Sequence, residues 1–320
     1  MKQFLIKLSI YGILLVIGAF VLEFILEKGH RNYRTEGFST WHDIFDSKMN
    51  TDAIILGNSR AWCHINPETL DSVLHINSYN LGMDWTPFGM QYVMFKVFEK
   101  YNRKPNLVIQ NVDFVTLYRP VENINKSMFA PYIHEDLIKN ELRKMGMSEV
   151  ELNIPLFQYP EYQPIMRGLK GLISHSSDDR YKGYQGKEVT WDGSALEKKL
   201  SQDSLISIIE PEIVELFDSF LNECKEKEIQ VILVFTPMYY KATEFTKDKE
   251  QLFNLCHSFA EKYNIPFLDY SHDPLCYDTV YFFNAQHLNK KGAELFSLKL
   301  ANDIKEQNLY KSGDCGSSPP

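Results

Sequence analysis

The sequence is poor in several features by which proteins announce a function. Its five cysteines, Cys63, Cys224, Cys256, Cys276 and Cys315, are odd in number and form no C-x-x-C pair. That excludes a dense disulfide scaffold and the usual zinc and iron–sulfur spacings, so no metal and no cofactor is expected. Cys224 and Cys256 fall on apolar helical faces, where a thiol serves as a small buried hydrophobe. Positive charge is also scarce: 34 Lys and Arg face 42 Asp and Glu, for a net charge of −8, and no basic stripe interrupts the balance. Nucleic acid is therefore not expected as a partner. No internal repeat is visible, which argues against a solenoid or propeller.

The N-terminal segment lacks charge over a long run. From Phe4 to Leu26 it reads FLIKLSIYGILLVIGAFVLEFIL, interrupted by Lys7 and Glu23 alone. A run of this length crosses a bilayer as a helix, and both charged residues lie near its ends, where long side chains reach the headgroups. It has no polar face, unlike a helix docked on its own protein, and no small-x-small cleavage site follows, unlike a signal peptide. The expectation is an uncleaved single-pass anchor. Lys2 and Lys7 before the run and Lys28, Arg31 and Arg34 after it are too evenly balanced to set its orientation.

Past the anchor, short apolar runs bounded by Gly, Pro, Asn or Asp alternate with helical patterns. Asp52–Gly57, Ile76–Leu81, Leu107–Val112, Ile229–Phe235 and Ile265–Leu268 read as strands buried on both faces. Ile213, Leu216, Phe217, Phe220, Leu221 and Cys224 repeat at helical spacing behind Pro211, and Leu252, Leu255, Cys256, Phe259 and Tyr263 do the same. Met94, Val97, Phe98 and Tyr101 mark another helix, and Ala293, Phe296, Leu300 and Ile304 a last one capped by Asn289. Strands alternating with helices predict an α/β fold: a parallel sheet covered on both faces, with ligands at the carboxyl ends of its strands. The expected division is residues 1–28 as anchor, 29–50 as linker and 51–310 as the α/β domain. An insertion or lid at about 114–209, rich in Tyr, Phe and Pro, interrupts that domain. The small polar tail 311–320 is expected to be disordered.

Two places carry chemistry. Gly57-Asn58-Ser59-Arg60 sets a hydroxyl just past the end of the first strand, behind a glycine that permits a sharp turn. Near the other end, His287 in Asn284-Ala285-Gln286-His287-Leu288-Asn289 stands at a loop-to-helix junction. In a doubly wound sheet the loops after different strands converge on one edge, so His287 can take the proton of Ser59. Plain capping by either residue is the alternative.

These residues resemble the SGNH (GDSL-like) hydrolases. Gly57-Asn58-Ser59 is similar to the first block of that family, Tyr79-Asn80-Leu81-Gly82 to its glycine block, and Asn284 through Gly292 to its closing Asp-x-x-His block, in the same order and spacing. The resemblance covers about residues 52–113 and 230–303. It implies a flavodoxin-like three-layer fold in which Ser59 attacks an ester carbonyl and His287 acts as base. The oxyanion would be held by donors around Ser59, Gly82 and a block-three asparagine, for which Asn111 is the candidate. Asn111 lacks the glycine usual two residues earlier, and Asp113 is a second candidate there or a strand-end cap.

A larger departure is Asn284, which stands where the family carries the aspartate that orients the histidine. Three outcomes follow: a Ser–His pair helped by Asn284, a substitute carboxylate such as Asp278 or Asp273, or a site that no longer turns over. Anchored relatives of similar layout move acyl groups on surface polymers. That resemblance implies an esterase or O-acyltransferase acting on acylated extracytoplasmic carbohydrate or a small ester, beside a multi-pass membrane acyltransferase. The alternative is an inactive glycan-binding or assembly subunit. Tyr181, Tyr184 and Trp191, around Gly183 and Gly186, would form an aromatic platform for a sugar or simply pack a lid. Arg60 would bind an anionic substrate group or pair with a carboxylate. His134 and His175 are too far apart in sequence to suggest a local metal motif.

Overall fold

The computed structural model describes residues 1–35, 37–118, 128–159, 161–174, 177–193, 196 and 208–310. The expected disorder of the tail and the reading of His175 concern residues outside that set. The contacts divide the chain into two compact units, one of residues 1–42 with 121–179 and one of 43–120 with 180–320.

The larger unit is built on five parallel strands: β1 (Ala53–Leu56), β2 (Ser78–Asn80), β3 (Leu107–Asn111), β4 (Gln230–Phe235) and β5 (Phe267–Asp269). Their order across the sheet is β2-β1-β3-β4-β5. This is the flavodoxin-like 2-1-3-4-5 order, and its switch point lies between β1 and β3, where loops leaving the carboxyl ends diverge to open a cleft. Every residue of β1, β2 and β3 is buried; β1 is wholly apolar, as a strand covered on both faces should be, whereas β2 and β3 also bury Ser78, Asn80, Gln110 and Asn111. The predicted strands all form: the first four are shortened by a residue or two at one or both ends, and the last starts two residues later and runs one residue further, to Asp269.

Helices cover both faces, so the fold is a three-layer α/β/α arrangement. In chain order the α-helices among the described residues are α1 (Lys2–Asn32), α2 (Phe38–Phe45), α3 (Ser59–His64), α4 (Pro67–Leu74), α5 (Phe88–Tyr101), α6 (Asp136–Lys144), α7 (Glu149–Asn153), α8 (Tyr162–Ile173), α9 (Pro211–Glu226), α10 (Tyr240–Glu244), α11 (Lys249–Tyr263) and α12 (Lys290–Glu306). One group packs α12 against α3 and α4; the other packs α9 against α5 and α11. The second group meets through Phe88, Phe95, Phe217, Phe220 and Phe259, whose rings approach to between 4.7 and 6.1 Å. Each buried phenylalanine contributes about 2–3 kcal/mol, so this aromatic stack is a main source of that layer's stability.

The smaller unit contains α1 and α6 to α8. α1 is one helix of 31 residues, long and apolar enough to cross a membrane. Its apolar run is exposed, while Glu23, Leu26, Gly29 and His30 are buried against this unit. Residues 29–50, expected as a linker, carry the last turn of α1 and all of α2 instead. Phe38, Trp41 and Ile44 there are fully buried, because the spacing of three gives α2 an apolar face. The segment expected as an insertion at 114–209 is divided between the units, with residues 121–179 joining α1.

Candidate active site

β1 ends at Leu56 and the chain turns at Gly57, whose φ of +150° suits glycine. Space there is as restrictive as conformation: a Cβ would lie 2.7 Å from the Ala61 Cβ and 2.8 Å from the Asn111 Cβ. The turn starts α3 at once. Asn58 caps it, its Oδ1 accepting the Arg60 N–H at 3.1 Å, and Ser59 becomes the first residue of the helix. A serine at that position is held at the carboxyl edge of the sheet.

The second half arrives from a small antiparallel pair, β6 (Phe282–Asn284) and β7 (His287–Leu288), just before α12. His287 Nε2 lies 2.7 Å from Ser59 Oγ, and His287 Nδ1 lies 2.9 Å from Asn284 Oδ1. Asn284 Oδ1 also accepts the backbone N–H groups of Gln286 and His287, at 2.9 and 3.0 Å. Those two donors fix which end of the amide is oxygen. A carbonyl oxygen facing Nδ1 requires the ring to carry its proton there, which leaves Nε2 unprotonated and able to accept from the serine hydroxyl. Asn289 then caps α12 through its Oδ1 and the Gly292 N–H at 3.0 Å, as its place in the sequence suggests.

Charge at the site is unusual. Burial, and next the nearby Arg60 guanidinium, pull the His287 pKa down to about 3. The two proposed stand-in carboxylates are occupied elsewhere: Asp278 accepts the Val280 N–H, and Asp273 accepts the Leu275 N–H and pairs with Lys299. Asp113 closes a turn after β3, its Oδ1 accepting from Val115 N at 3.0 Å and Thr116 Oγ1 at 3.1 Å. Among the described residues Arg60 makes no ion pair within salt-bridge distance. It is buried with its Nη2 donating to the Thr236 carbonyl and its Cζ 4.4 Å from the centre of the Phe235 ring, and burial lowers its pKa.

On the other side of Ser59 the expected donors are turned away. Gly82 N–H donates to Asn80 Oδ1 at 2.9 Å, and a Cβ at Gly82 would lie 2.6 Å from Trp62 N, so this glycine lets β2's loop close on α3. Asn111 Nδ2 donates to the Val234 carbonyl at 3.0 Å and to the Val112 carbonyl at 3.4 Å, and its Oδ1 has no partner among the described residues. As the last residue of β3, flanked by β1 and β4, Asn111 packs beneath the Gly57 turn instead of opening onto the cleft. Neither residue therefore offers a donor to an oxyanion in this conformation. Two other donors beside Ser59 Oγ make no hydrogen bond among the described residues: the Ser59 backbone N–H, first of its helix, and the Asn58 amide nitrogen.

Three supporting residues were given no role by the sequence, although Asn80 lies in the glycine block. His64 Nε2 accepts the Leu288 N–H at 2.9 Å and its Nδ1 faces Thr236 Oγ1 at 2.9 Å, which ties the His287 strand to α3. Burial first, then Arg60 and His287, hold this imidazole neutral by lowering its pKa well below the usual value. Asn80 Nδ2 donates to the carbonyls of Ala61 and Ile65, both at 2.8 Å, and fixes α3 from below. Trp85, 54 % exposed, has a left-handed φ of +50°, rare for a tryptophan.

A cavity of about 290 Å³ gathers Ser59, His287, Asn58, Asp84, Trp85 and Phe114. Burial raises the Asp84 pKa, opposed by the Trp85 N–H and by Arg180 and Lys187. Tyr184 and Trp191 are buried and Tyr181 is exposed, and none of the three lines this cavity, so they form no platform beside Ser59. Gly183 has φ +80° and packs on Asn80, whose backbone N–H donates to the Lys182 carbonyl at 2.9 Å. His134 lies 3.4 Å from Glu27. Cys63, Cys224, Cys256 and Cys276 are free and buried, and burial pushes the Cys256 thiol up to about 12.

No protein-family model and no curated protein matches the chain. Solved structures do. A GDSL-like lipase from Bacteroides thetaiotaomicron is similar at 11% identity over 85% of this chain and 100% of its own, with a TM-score of 0.39. A protein assigned to the G-D-S-L lipolytic family of Desulfitobacterium hafniense is similar at 13% identity over 79% of this chain and 99% of its own, with a TM-score of 0.40. Likenesses this distant say nothing of substrate, and the chemistry rests on the chain's own side chains. By its sheet order the larger unit has a flavodoxin-like three-layer α/β/α fold that brings Ser59 and His287 together at one edge, the arrangement the SGNH (GDSL-like) resemblance implies.

Proposed function

We propose that this protein is a membrane-anchored serine esterase or O-acyltransferase acting on acylated extracytoplasmic carbohydrate. The observation that carries the reading is the relay Ser59 Oγ–His287 Nε2–Asn284, with the imidazole tautomer set by an amide oxygen that cannot turn. In the proposed reaction Ser59 Oγ attacks the acyl carbonyl while its proton passes to His287 Nε2. The carbonyl oxygen takes the negative charge and is met by the Ser59 N–H and Asn58 Nδ2. Collapse breaks the bond to the alcohol, which leaves with the proton returned by the imidazolium. Water, or a hydroxyl of a second glycan, then gives its proton to His287 and takes the acyl group from Ser59. Exposed Trp85 beside Asp84 at the cavity is suited to a sugar ring, which stacks on an aromatic face and hydrogen-bonds to a carboxyl. α1 serves as the anchor, and a multi-pass membrane acyltransferase is the proposed source of acyl groups.

One observation favours a rival. Among the described residues no carboxylate contacts His287, so the imidazolium formed during attack is poorly stabilised, as suits a glycan-binding or assembly subunit that keeps the fold without turnover. Fluorophosphonate labelling separates the two. Rapid modification of Ser59, lost in His287→Ala, supports catalysis; an unlabelled protein that binds glycan saturably supports the rival.

A further inference from the structure

The smaller unit carries an apolar surface that the catalytic reading does not use. Residues Phe4 to Leu22 of α1 are mostly exposed and end at Glu23, the first buried position. At the rise of a helix this stretch is about 28 Å long, close to the roughly 30 Å of a bilayer's hydrocarbon core. If α1 spans, Glu23 marks the boundary of that core, and the next turns lie in the headgroup layer of about 5–8 Å.

Another part of the chain is fastened at this depth. Gln158 Nε2 donates to Glu23 Oε1, and Leu26 packs with Tyr159, Leu156 and Ile165. Just beyond, α1 and α8 touch backbone to backbone: a Cβ at Gly29 would lie 1.8 Å from the Gly168 carbonyl oxygen, and one at Gly171 would lie 2.0 Å from the Gly29 oxygen. Contacts this close hold the segment from Ile154 through α8 against the end of the apolar run. Yet this segment turns large apolar side chains outward. Ile154, Phe157, Tyr162 and Met166 are 45, 54, 73 and 56 % exposed. Tyr162 and Met166 stand four residues apart on one face of α8, with Leu169 and Ile173 continuing it.

We infer that Ile154, Phe157, Tyr162 and Met166 form a second membrane contact, seated in the interfacial layer of the bilayer that α1 enters. The inference rests on α1 spanning and not on any chemistry at Ser59. The patch belongs to the segment held beside the end of α1's apolar run by the contacts of Gln158 with Glu23 and of Tyr159 with Leu26, which set its depth, and aromatic residues are the side chains that favour this layer. Its partner is therefore phospholipid at the headgroup–acyl boundary.

The test uses the full chain reconstituted in phosphatidylcholine and phosphatidylglycerol vesicles, with Cys315→Ser to leave only buried native thiols. Phe157→Cys is labelled with an environment-sensitive fluorophore; a parallel protein carries the label at Leu14→Cys. Both positions are exposed, so the fold is not threatened. Lipids brominated near the headgroup should quench the label at 157, and lipids brominated deep in the chain the label at 14. Quenching at 14 with none at 157 overturns the second contact and leaves the anchor standing. No quenching at either position removes the anchor and this inference together. A signal at 157 that follows protein density and ignores bromination assigns the surface to a second copy of the chain and also overturns the inference.

Discussion

The two sides of Ser59 were built from equally suggestive stretches of sequence and turned out differently. On the base side, Asn284 Oδ1 receives two backbone N–H groups and the His287 ring, so every hydrogen bond points toward proton removal from the serine. On the oxyanion side, Gly82 and Asn111 occupy the places the family pattern names, but their donors are consumed by Asn80 and by Val234. Spacing along a chain assigns a residue to a place at the sheet edge. The direction in which it hydrogen-bonds is decided by neighbours from other strands.

The comparison breaks first if the base side is inert. With an activated acetyl ester, Ser59→Ala and His287→Ala are each expected to lower kcat/KM by about 10⁴-fold or more, with circular dichroism unchanged. Equal rates in both variants and the native protein would sink the assignment. Next comes the oxyanion side. Asn58→Asp keeps the cap on α3 but removes the amide donor, and kcat is expected to fall about 10²-fold. Asn111→Ala should instead cost about 1–3 kcal/mol of stability, read from urea denaturation, with kcat changed little. The reverse pattern would return the oxyanion to Asn111.

A smaller effect sharpens the base side. Asn284→Asp brings a carboxylate to the imidazole, which raises the His287 pKa and is expected to increase kcat about tenfold. The acid limb of kcat/KM should then move to higher pH. An unmoved limb would mean that position 284 does not govern the ring. The smallest effect is on folding. His287 is neutral in the folded protein down to about pH 3, whereas the unfolded chain protonates it near its ordinary value. The unfolded state therefore binds more protons below about pH 6.5, and this group alone should lower stability by about 2 kcal/mol at pH 5. His64 adds to the same loss, since its folded pKa is lowered too. His64→Gln should flatten the pH dependence of urea midpoints between pH 7 and 5; an unchanged slope would remove His64 from that account.

What was legible follows the same division. The strands and α12 with its Asn289 cap could be read because hydrophobic period and turn chemistry are local, and the approach of His287 to Ser59 because strand-end loops of a doubly wound sheet converge on one edge. His64, Asn80 and Asn58 could not be assigned, since their roles depend on carbonyls and N–H groups brought in from elsewhere, such as Leu288 for His64. The pairing of residues 121–179 with α1 was hidden for a related reason. Its seam is glycine against glycine, and Gly168 and Gly171 leave no hydrophobic period to betray a partner more than a hundred residues away.

That seam also sets an order of events during synthesis. Gly168 follows Gly29 by 139 residues. At about 5–20 residues per second, α1 leaves the ribosome roughly 7–28 s before the helix that packs on it exists. Through that interval Gly29 presents bare backbone, on which another helix can approach as closely as α8 does. α1 is thus most open to a foreign helix before its own α8 arrives to close the seam.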